Sequence, residues 1–455
     1  HLVAAGWTCS LHLIKPGSQS TPDAAANYER LSGLPRVQKR DATGESVQDA
    51  TVVIDAIFGT GFTGAPRGTA AHMIALINQT RAARGIPVVS IDIPSGVNGT
   101  TGAVDGDAVR ADMTLTIGAA KTGLLFHPGR SHVGRLDIID IGFPPEIVEK
   151  HSERVFYLDA RAAASKLPPR APDIHKYRAG GALVIAGSDA YRGAPLLTGE
   201  GALRSGCGML YLAVPESLRA EIPAGLEEAI VTALPQTRDG TIAKNARDLL
   251  ATAGGKATAV AIGPGLGRND ETDAFVRDFV VNCKTPIVVD ADGLTAFAGH
   301  AAEFKKAKAA VVITPHDGEL ARLTGDSIPT TPLERMAYSA AAAKKLRVIL
   351  VHKGAPALIA GPNGEVWVNG SGTSALSKGG TGDVLTGFIV SFLAQAAAAG
   401  RPASGAALDA ACVACYLHGR AGEIEALERG ERGVLASDLF ASVGRAMVEL
   451  ESVQK

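Results

Sequence analysis

The chain has 455 residues, more than one ordinary hydrophobic core accommodates, and this length predicts two domains. Apolar residues make up 46% of it, charged residues 20% and aromatic residues 5%, with 53 glycines, which is typical of an α/β protein and excludes a disordered or fibrous class. The formal net charge of -1 gives no support for nucleic acid or an anionic membrane as a partner. We expect no apolar run of the sequence to be both long enough and uncharged enough to span a bilayer.

Five scattered cysteines, an odd number, fit a reducing compartment and predict a cytoplasmic protein. Cys412 and Cys415 have the spacing of a redox motif, but they lie in an alanine-rich helical pattern and are predicted to be buried helix cysteines. The chain opens at His1 in what resembles the middle of a helix leading to a strand over 10–14. We take its true start to lie upstream.

Two series of alternating strands and helices are predicted, separated by a proline-bearing connection over about 143–178. The first series predicts strands over 51–57, 87–93, 113–117 and 136–141. The second predicts strands over 182–186, 209–214, 259–262, 286–289, 309–313, 347–351, 357–360 and 366–368. Continuous β-branched runs separated by helix-length segments predict a parallel sheet covered on both faces, and the last two strands read as a hairpin.

Polar and glycine-rich residues directly follow the strand ends. Open α/β sheets bind their ligands at the carboxyl ends of the strands. In the second series this edge collects the glycines of 263–267, the carboxylates of Asp290 and Asp292, and the side chains of His316 and Lys353. A ligand site is therefore predicted at this edge of the second sheet.

The turn over 378–383 reads Lys-Gly-Gly-Thr-Gly-Asp and runs directly into an apolar helical stretch over 384–390. Glycines at a helix start leave backbone N–H groups bare, and the helix dipole attracts anions to that end. An aspartate fits such a site if it works on the other reactant, by taking a proton from an attacking hydroxyl. The turn therefore predicts phosphoryl transfer with Asp383 as the catalytic base. The alternative is that Asp383 only caps the helix.

The other candidates at this edge each have a structural alternative. The glycines of 263–267 allow close approach of the backbone to a ligand, or form a plain turn. His316 is either a ligand contact or a structural histidine. Lys353 either neutralises nucleotide phosphates or lies on the surface. Asp290 and Asp292 either hold Mg²⁺, directly or through water, or cap the next helix.

The first series carries a carboxylate at each of two strand ends. Asp55 precedes a glycine-rich loop, Gly-Thr-Gly-Phe-Thr-Gly over 59–64, and Asp92 precedes Pro-Ser-Gly over 94–96. Two such carboxylates predict a small-molecule or cation site. The alternative is that both cap helices beside structural glycines.

An ordered series of strings spans both halves of the chain. The strings lie at 55–64, 92–97, 102–112, 121–124, 175–176, 193–195, 202–208, 263–267, 290–294, 314–319, 353–355, 378–387 and 436–439. In this order they resemble the bifunctional NAD(P)H-hydrate repair enzymes of bacteria, in which an epimerase domain is fused to an ADP-dependent dehydratase domain. The dehydratase half is similar to the ribokinase-like superfamily.

The resemblance implies two three-layer α/β domains: a Rossmann-like epimerase domain over 1–150 and a ribokinase-like dehydratase domain over 160–455. The implied substrates are NADHX and NADPHX, that is, NADH or NADPH hydrated at C6 of the nicotinamide ring. The first domain would interconvert the C6 epimers. The second would phosphorylate the C6 hydroxyl with ADP or ATP, after which phosphate leaves. The implied cofactors are Mg²⁺ and K⁺.

The resemblance also implies roles for individual residues. Asp383 would face the hydroxyl, and Gly265 and His316 the hydrated nucleotide. The adenine nucleotide would contact Lys353, Gly354, Ala355, Pro356, Ala357, Gly379, Gly380, Thr381 and Gly382. In the first domain Asp55 and Ser95 would bind potassium. Its substrate loop would comprise Gly59, Thr60, Gly61, Phe62, Thr63, Gly64 and Ala65, with Asp92 as the base.

Two departures from the family pattern stand out. The family's Asn-Asn-Gly-Asp loop, which would precede His1, is absent from this chain, and residues 371–376 differ from many relatives. We expect the second departure to be tolerated because backbone groups do most of the phosphate binding. The partners predicted are small molecules, with a homo-oligomer and no nucleic acid or membrane. A rival interpretation is a ribokinase-like vitamin-precursor kinase with a non-catalytic first domain.

Overall fold

A computed structural model describes residues 1–14, 21–31, 33–41, 47, 49–151, 153–253 and 255–454. The chain divides into two compact units, His1–Val148 and Glu149–Lys455. Each unit carries its own, mainly parallel sheet.

The first unit carries a four-stranded parallel sheet in the order β3-β4-β5-β6 and a separate parallel pair β1-β2. These strands are β1 (Cys9–Leu13), β2 (Val37–Asp41), β3 (Val53–Asp55), β4 (Val88–Ile91), β5 (Met113–Ile117) and β6 (Arg135–Ile139). The helices are α1 (Pro22–Arg30) and α2 (Gly68–Arg84), and α3 (Pro145–His151) spans the boundary between the units. Apolar residues of α2, among them Ile74 and Ile77, pack on Val88 of β4.

The second unit is built on a ten-stranded sheet in the order β10-β9-β8-β11-β12-β13-β14-β15-β16-β7. Its strands are β7 (Val155–Leu158), β8 (Gly181–Ile185), β9 (Met209–Pro215), β10 (Ala229–Leu234), β11 (Ala259–Ile262), β12 (Ile287–Val289), β13 (Val311–Ile313), β14 (Ile349–His352), β15 (Leu358–Ala360) and β16 (Val366–Asn369). Only β15 runs antiparallel to its neighbours, as the predicted hairpin requires. Every residue of β8 and of β11 to β15 is buried, so both faces of the central sheet are covered.

Helices cover this sheet, and one long apolar helix among them lies in the core. They are α4 (Ala160–Lys166), α5 (Ala194–Arg204), α6 (Arg247–Ala253), α7 (Asp270–Asn282), α8 (Asp292–Thr295), α9 (Asp317–Thr324), α10 (Pro332–Leu346), α11 (Thr381–Ala398), α12 (Ala403–Arg429) and α13 (Leu439–Gln454). Among the described residues, α11 is the one helix whose length and composition could cross a membrane, which the sequence interpretation did not expect, but it packs against α5, α12 and the central strands. Its apolarity is therefore explained by burial in the core.

The predicted strands are all present within about two residues, but β2, β7 and β10 were not predicted. The predicted connection over 143–178 is wrong in part, because β7 and α4 lie inside it. The strand β7 pairs in parallel with β16 at the edge of the ten-stranded sheet. The second unit consequently begins before the predicted boundary at residue 160.

The cysteine prediction for α12 is confirmed. Cys412 and Cys415 are both buried within this helix and both are free thiols. Burial raises the pKa of the Cys415 thiol to about 12, so it stays protonated and unreactive at neutral pH.

Candidate active site

The N-terminus of α11 is shaped by the glycine-rich turn. Gly380 precedes the helix with a φ of 90°, in the left-handed region, and a Cβ there would lie 2.7 Å from Leu197 Cδ1. Glycine is therefore required at this position. Within the described chain, no hydrogen-bond acceptor contacts the backbone N–H groups of Gly379, Gly380, Gly382 and Asp383. Four donors at the positive end of the helix are thus without an acceptor among the described residues, and the sequence predicts anion binding by such groups.

The first residue of α11 is fixed from two sides. The Thr381 hydroxyl donates to the carbonyl oxygens of Leu376 and Lys378 at 2.9 and 2.8 Å. The Thr381 carbonyl oxygen lies 2.9 Å from Nε2 of His418, a buried residue of α12. Burial lowers the pKa of His418 to about 4, so it is a neutral imidazole at pH 7. The turn is therefore rigid on the side away from its free N–H groups.

Asp383 is the third residue of α11 and does not cap it. The capping position belongs to Gly380, and no described donor contacts the Asp383 carboxylate, which is half-buried. Burial, followed by the negative charge of Asp290, raises the pKa of Asp383 to about 7, and the Lys353 charge opposes the rise. A carboxyl group with a pKa near neutrality and no hydrogen-bond partner is suited to accept a proton.

Asp290 and Lys353 form an ion pair beside this turn. Lys353 Nζ lies 3.0 Å from Asp290 Oδ1 and 3.6 Å from Glu319 Oε2, and Asp290 is only 1% exposed. Burial lowers the proton affinity of Lys353, but the two carboxylates outweigh it and raise its pKa. The alternatives of a surface lysine and of a helix-capping Asp290 are therefore both excluded.

The glycines of 263–267 serve the close packing of two loops. A Cβ on Gly263 would lie 1.9 Å from the Asp290 carbonyl oxygen, and one on Gly265 would lie 2.7 Å from Tyr191 Cβ. The N–H of Gly267 donates to Asp292 Oδ2 at 2.9 Å. Packing alone therefore requires these glycines, and the contact of Gly265 with substrate stays a prediction.

His316 caps α9. Its Nδ1 accepts from the N–H groups of Gly318 and Glu319 at 3.0 and 3.4 Å, while Glu319 Oε2 accepts from the His316 N–H at 2.8 Å. The reciprocal arrangement is a capping box. Since Nδ1 accepts hydrogen bonds, the proton of the neutral ring lies on Nε2. The side chain is 55% exposed, so His316 combines a structural role with an accessible Nε2–H donor.

The loop predicted to contact the adenine nucleotide comprises Lys353, Gly354, Ala355, Pro356 and Ala357. Arg335 of α10 braces it, because Nη2 lies 3.3 Å from the Lys353 carbonyl oxygen and 2.7 Å from Asp317 Oδ1. His352 Nε2 also contacts Asp317 Oδ1, at 2.8 Å. Burial alone would raise the pKa of the Asp317 carboxyl, but the hydrogen bonds from Arg335 and His352 outweigh it and lower that pKa. The sequence did not single out this bracing cluster.

Residues 371–376, which depart from the family pattern, are anchored on α12. The Ser371 hydroxyl donates to the Tyr416 carbonyl oxygen at 2.8 Å, and the Gly372 N–H donates to Glu423 Oε1 at 2.8 Å. A Cβ on Gly419 would lie 2.2 Å from Ser371 Oγ, so the segment and α12 approach closely. The side chains of this segment thus serve to attach the glycine-rich turn to the core.

In the first unit Asp55 is buried within a ring of donors. Its Oδ1 accepts from the Ser95 hydroxyl at 2.5 Å and from the Ile57 N–H at 3.3 Å. Its Oδ2 accepts from the Ser90 hydroxyl and the Ser95 N–H, each at 2.8 Å. The Ser95 hydroxyl in turn accepts from the Phe58 N–H at 3.0 Å. Asp55 makes no ion pair with a described residue.

Asp92 lies beside the same loop. It has a φ of 71°, which is rare for a residue other than glycine and is typical of functional sites. Its Oδ1 accepts from Lys121 Nζ and from the Ile117 N–H, and its Oδ2 lies 3.8 Å from the position of a Cβ on Gly59. Both carboxylates therefore converge on the loop that starts at Phe58. Lys121, which pairs with Asp92, was not predicted as a site residue.

A cavity of about 460 Å³ opens along this loop. Phe58 and Phe62 stack in its wall with ring centroids 4.3 Å apart. Its lining comprises Ile14, Phe58, Phe62, Thr63, Gly64, Ala65, Pro66, Arg67, Thr69 and Ala70. Four of the seven predicted loop residues thus line a ligand-sized space; Gly59, Thr60 and Gly61 are not among its lining residues.

Comparison with known proteins decides the family. A family model described as NAD(P)H-hydrate dehydratase matches residues 182–445, and one described as YjeF-related protein N-terminus matches residues 1–123. Bifunctional NAD(P)H-hydrate repair enzymes of Moorella thermoacetica and Salinibacter ruber are 34% and 35% identical to the chain, each alignment covering 99% of this chain and 84% of the relative. The chain belongs to the family of bifunctional NAD(P)H-hydrate repair enzymes. The predicted family is confirmed.

Solved structures share the fold of this repair enzyme's second unit. The ADP/ATP-dependent NAD(P)H-hydrate dehydratase of Bacillus subtilis, co-crystallised with ATP and Mg²⁺, is 32% identical, with a TM-score of 0.54 over 65% of this chain and 99% of that chain. A ribokinase-like superfamily protein of Enterococcus faecalis, 24% identical with a TM-score of 0.55, shares the fold. The predicted α/β fold class is confirmed, and the Bacillus subtilis dehydratase, co-crystallised with ATP and Mg²⁺, supports nucleotide use by the repair enzyme.

Proposed function

We propose that this repair enzyme restores NADH and NADPH from their hydrates by two activities. The second unit dehydrates the S epimer of NADHX or NADPHX at the expense of ADP or ATP. The first unit interconverts the R and S epimers, so that the whole pool reaches the dehydratase. The family assignment supports both activities, and the rival kinase interpretation leaves the first unit without a function.

The observation that carries the dehydratase assignment is the pairing of Asp383 with four free N–H groups. The carboxylate accepts no hydrogen bond from a described residue and has a pKa of about 7, so it can take a proton from the C6 hydroxyl. The N–H groups at the start of α11 can hold the phosphoryl group that the hydroxyl attacks. A base and an anion site side by side suit phosphoryl transfer better than phosphate binding alone.

The proposed reaction balances in two steps. The C6 hydroxyl oxygen attacks the terminal phosphorus of the nucleotide, the bridging P–O bond breaks, and the hydroxyl proton passes to Asp383. The C6–O bond then breaks, phosphate leaves, and C5 loses a proton to regenerate the ring double bond. The sum is hydrate plus ADP giving NADH, AMP, hydrogen phosphate and one proton, which is released to water. Phosphorylation is needed because a hydroxyl is a poor leaving group and phosphate a good one.

The remaining contacts of the second unit are assigned on the same basis. The hydrated nucleotide would face Gly265 and the Nε2–H of His316. The adenine nucleotide would contact the loop over 353–357 and the turn over 379–382. Asp290 and Glu319 are already paired with Lys353, so we expect Mg²⁺ to be held chiefly by the nucleotide phosphates and water. When bound, the ion supplies positive charge against the phosphate oxygens.

In the first unit Asp92 is proposed as the epimerase base and Asp55 with Ser95 as potassium ligands. The chemistry of the site fits a cation, since Asp55 is a buried carboxylate that no described lysine or arginine neutralises. Carboxylate and hydroxyl oxygens are the ligands that hard cations prefer. When bound, potassium would supply positive charge near the substrate phosphates. The cavity along residues 62–70 provides room for that substrate.

Three further assignments complete the proposal. The epimerase and dehydratase activities are assigned to the units His1–Val148 and Glu149–Lys455, close to the predicted domains. A homo-oligomer and a cytoplasmic location remain predictions from the sequence. We further expect no nucleic acid or membrane as a partner.

The direct test is the nucleotide dependence of dehydration. NADH absorbance should return from purified hydrated NADH only when ADP or ATP and Mg²⁺ are both present, because the hydroxyl must be phosphorylated before it leaves. Omission of nucleotide, and separately chelation of Mg²⁺, are the controls. Equal rates with and without nucleotide would exclude the phosphorylation mechanism.

A further inference from the structure

The reaction proposed above leaves one buried feature of the second unit without a role. Asp290, at the end of β12, is almost completely buried and forms an ion pair with Lys353, which follows β14. Its second carboxylate oxygen accepts a hydrogen bond from the Thr386 hydroxyl of α11 at 2.8 Å. An ion pair in such a position costs desolvation energy and needs good geometry to persist.

This ion pair lies against the helix turn that carries Asp383. Thr386 follows Asp383 by three residues, so the two side chains share one face of α11. A Cβ on Gly382 would lie 3.6 Å from Lys353 Nζ and 3.8 Å from Asp290 Oδ2. One negative and one positive charge are thus built into the floor of the proposed catalytic site.

We propose that Asp290 and Lys353 are positioning residues of the dehydratase that act through Asp383. Asp290 places a negative charge against the first turn of α11, and Lys353 limits its effect with a counter-charge. Lys353 is therefore an internal electrostatic partner of Asp383, in addition to its place in the loop that would contact the adenine nucleotide. This inference rests on the proposed dehydratase function and adds to the role that the sequence suggested for Lys353.

The electrostatics of the site agree with this geometry. Burial makes the largest contribution to the raised pKa of Asp383, Asp290 adds to it, and Lys353 opposes it. A general base works best when its pKa lies near the working pH, because it is then both ionised and basic. Removal of the Lys353 charge should therefore raise the pKa of Asp383, and removal of the Asp290 charge should lower it.

The other groups around α11 do not replace this pair. Asp292 at the start of α8 adds a smaller negative contribution to Asp383, and Glu319 of α9 acts on Lys353. His418 of α12 is neutral at pH 7. The helix α5 presents the small residues Thr198 and Gly201 to α11.

The test is the pH dependence of kcat for dehydration at saturating ADP. Asp290→Asn should move the acid limb of the profile to lower pH by about one unit, because a like charge is removed from Asp383. Lys353→Met should move it to higher pH by about one unit, because an opposite charge is removed. Thr386→Val is the matched control: it removes a neutral contact to Asp290, so the limb should stay within about 0.3 unit.

Opposite shifts distinguish positioning from a structural role. The inference would be overturned if kcat fell at every pH in both variants while the acid limb of the profile did not move. It would also be overturned if Lys353→Met raised the KM for ADP without moving that limb. If Lys353→Met does not fold, as judged by circular dichroism, Asp290→Asn decides alone through the downward shift. Wild-type protein that needs no nucleotide would refute the proposed function, whereas nucleotide-dependent wild type with unmoved limbs refutes only this inference.

Discussion

Asp383→Asn is expected to lower kcat of nucleotide-dependent dehydration by about 10²–10⁴-fold, the usual contribution of a general base. The asparagine side chain keeps the size of the carboxyl group but cannot accept the hydroxyl proton. Wild-type kcat should fall as the pH drops below about 7, because the carboxyl group then becomes protonated. Steady-state kinetics between pH 5.5 and 8.5, a range chosen to bracket that pKa, should show this limb in the wild type and its absence in the variant.

Stability and binding separate this role from helix capping. The Asp383 carboxylate accepts no hydrogen bond from a described backbone N–H, so its replacement should leave the unfolding midpoint and ADP affinity nearly unchanged. Loss of a cap would instead cost about 1 kcal/mol of unfolding free energy. Asp248→Asn, in the first turn of α6 and exposed, is the matched control and should keep full activity. If kcat of Asp383→Asn stayed within about twofold of the wild-type value, Asp383 would not be the general base.

Asp92→Asn is expected to lower the rate of epimer exchange by a similar factor while leaving dehydration of the S epimer unchanged. The side chain of Asp92 is held by Lys121 and the Ile117 N–H and lies beside the glycine-rich loop. Asparagine preserves the shape but abolishes the basic oxygen. Chromatographic separation of the epimers, followed over time without nucleotide, measures the exchange directly.

The comparison residue for this experiment is Asp137 of β6. It is partly exposed, and its ion pair among the described residues is with Arg135 of the same strand, so Asp137→Asn should leave both activities intact. An unchanged rate of epimer exchange in Asp92→Asn would show that another group acts as the base. Simultaneous loss of dehydration would point to damage beyond the first unit's site.

The sequence predicted the parts of the fold that continuous apolar runs encode. The central strands β8 and β11 to β14 are buried on both faces, and their residues are apolar almost without interruption. The strand β10 lies at a sheet edge and is only partly buried, and β7 lies among prolines at the opposite edge. Edge strands carry a weaker pattern because one side faces solvent or a loop.

The sequence also located the glycine-rich turn and Asp383, because local chemistry defines both. It could not identify residues that are distant in the sequence but in contact in the folded protein. Lys121 meets Asp92 across 29 residues, and His418 meets Thr381 across 37. For His316 the structural alternative had a local signal, because a histidine three residues before a glutamate has the spacing of a capping box. The pairing of Asp290 with Lys353 was likewise invisible before the strand order was known.

The fate of the C6 oxygen tests the central claim, phosphorylation of the hydrated nicotinamide, most directly. Hydrated NADH labelled with oxygen-18 at the C6 hydroxyl should be converted in a single turnover with unlabelled ADP, and the products analysed by mass spectrometry. If the hydroxyl oxygen attacks phosphorus and leaves with it, the label appears in inorganic phosphate, one atom per NADH formed. Label in water, with unlabelled phosphate, would show that nucleotide hydrolysis and dehydration are separate events and would contradict the account.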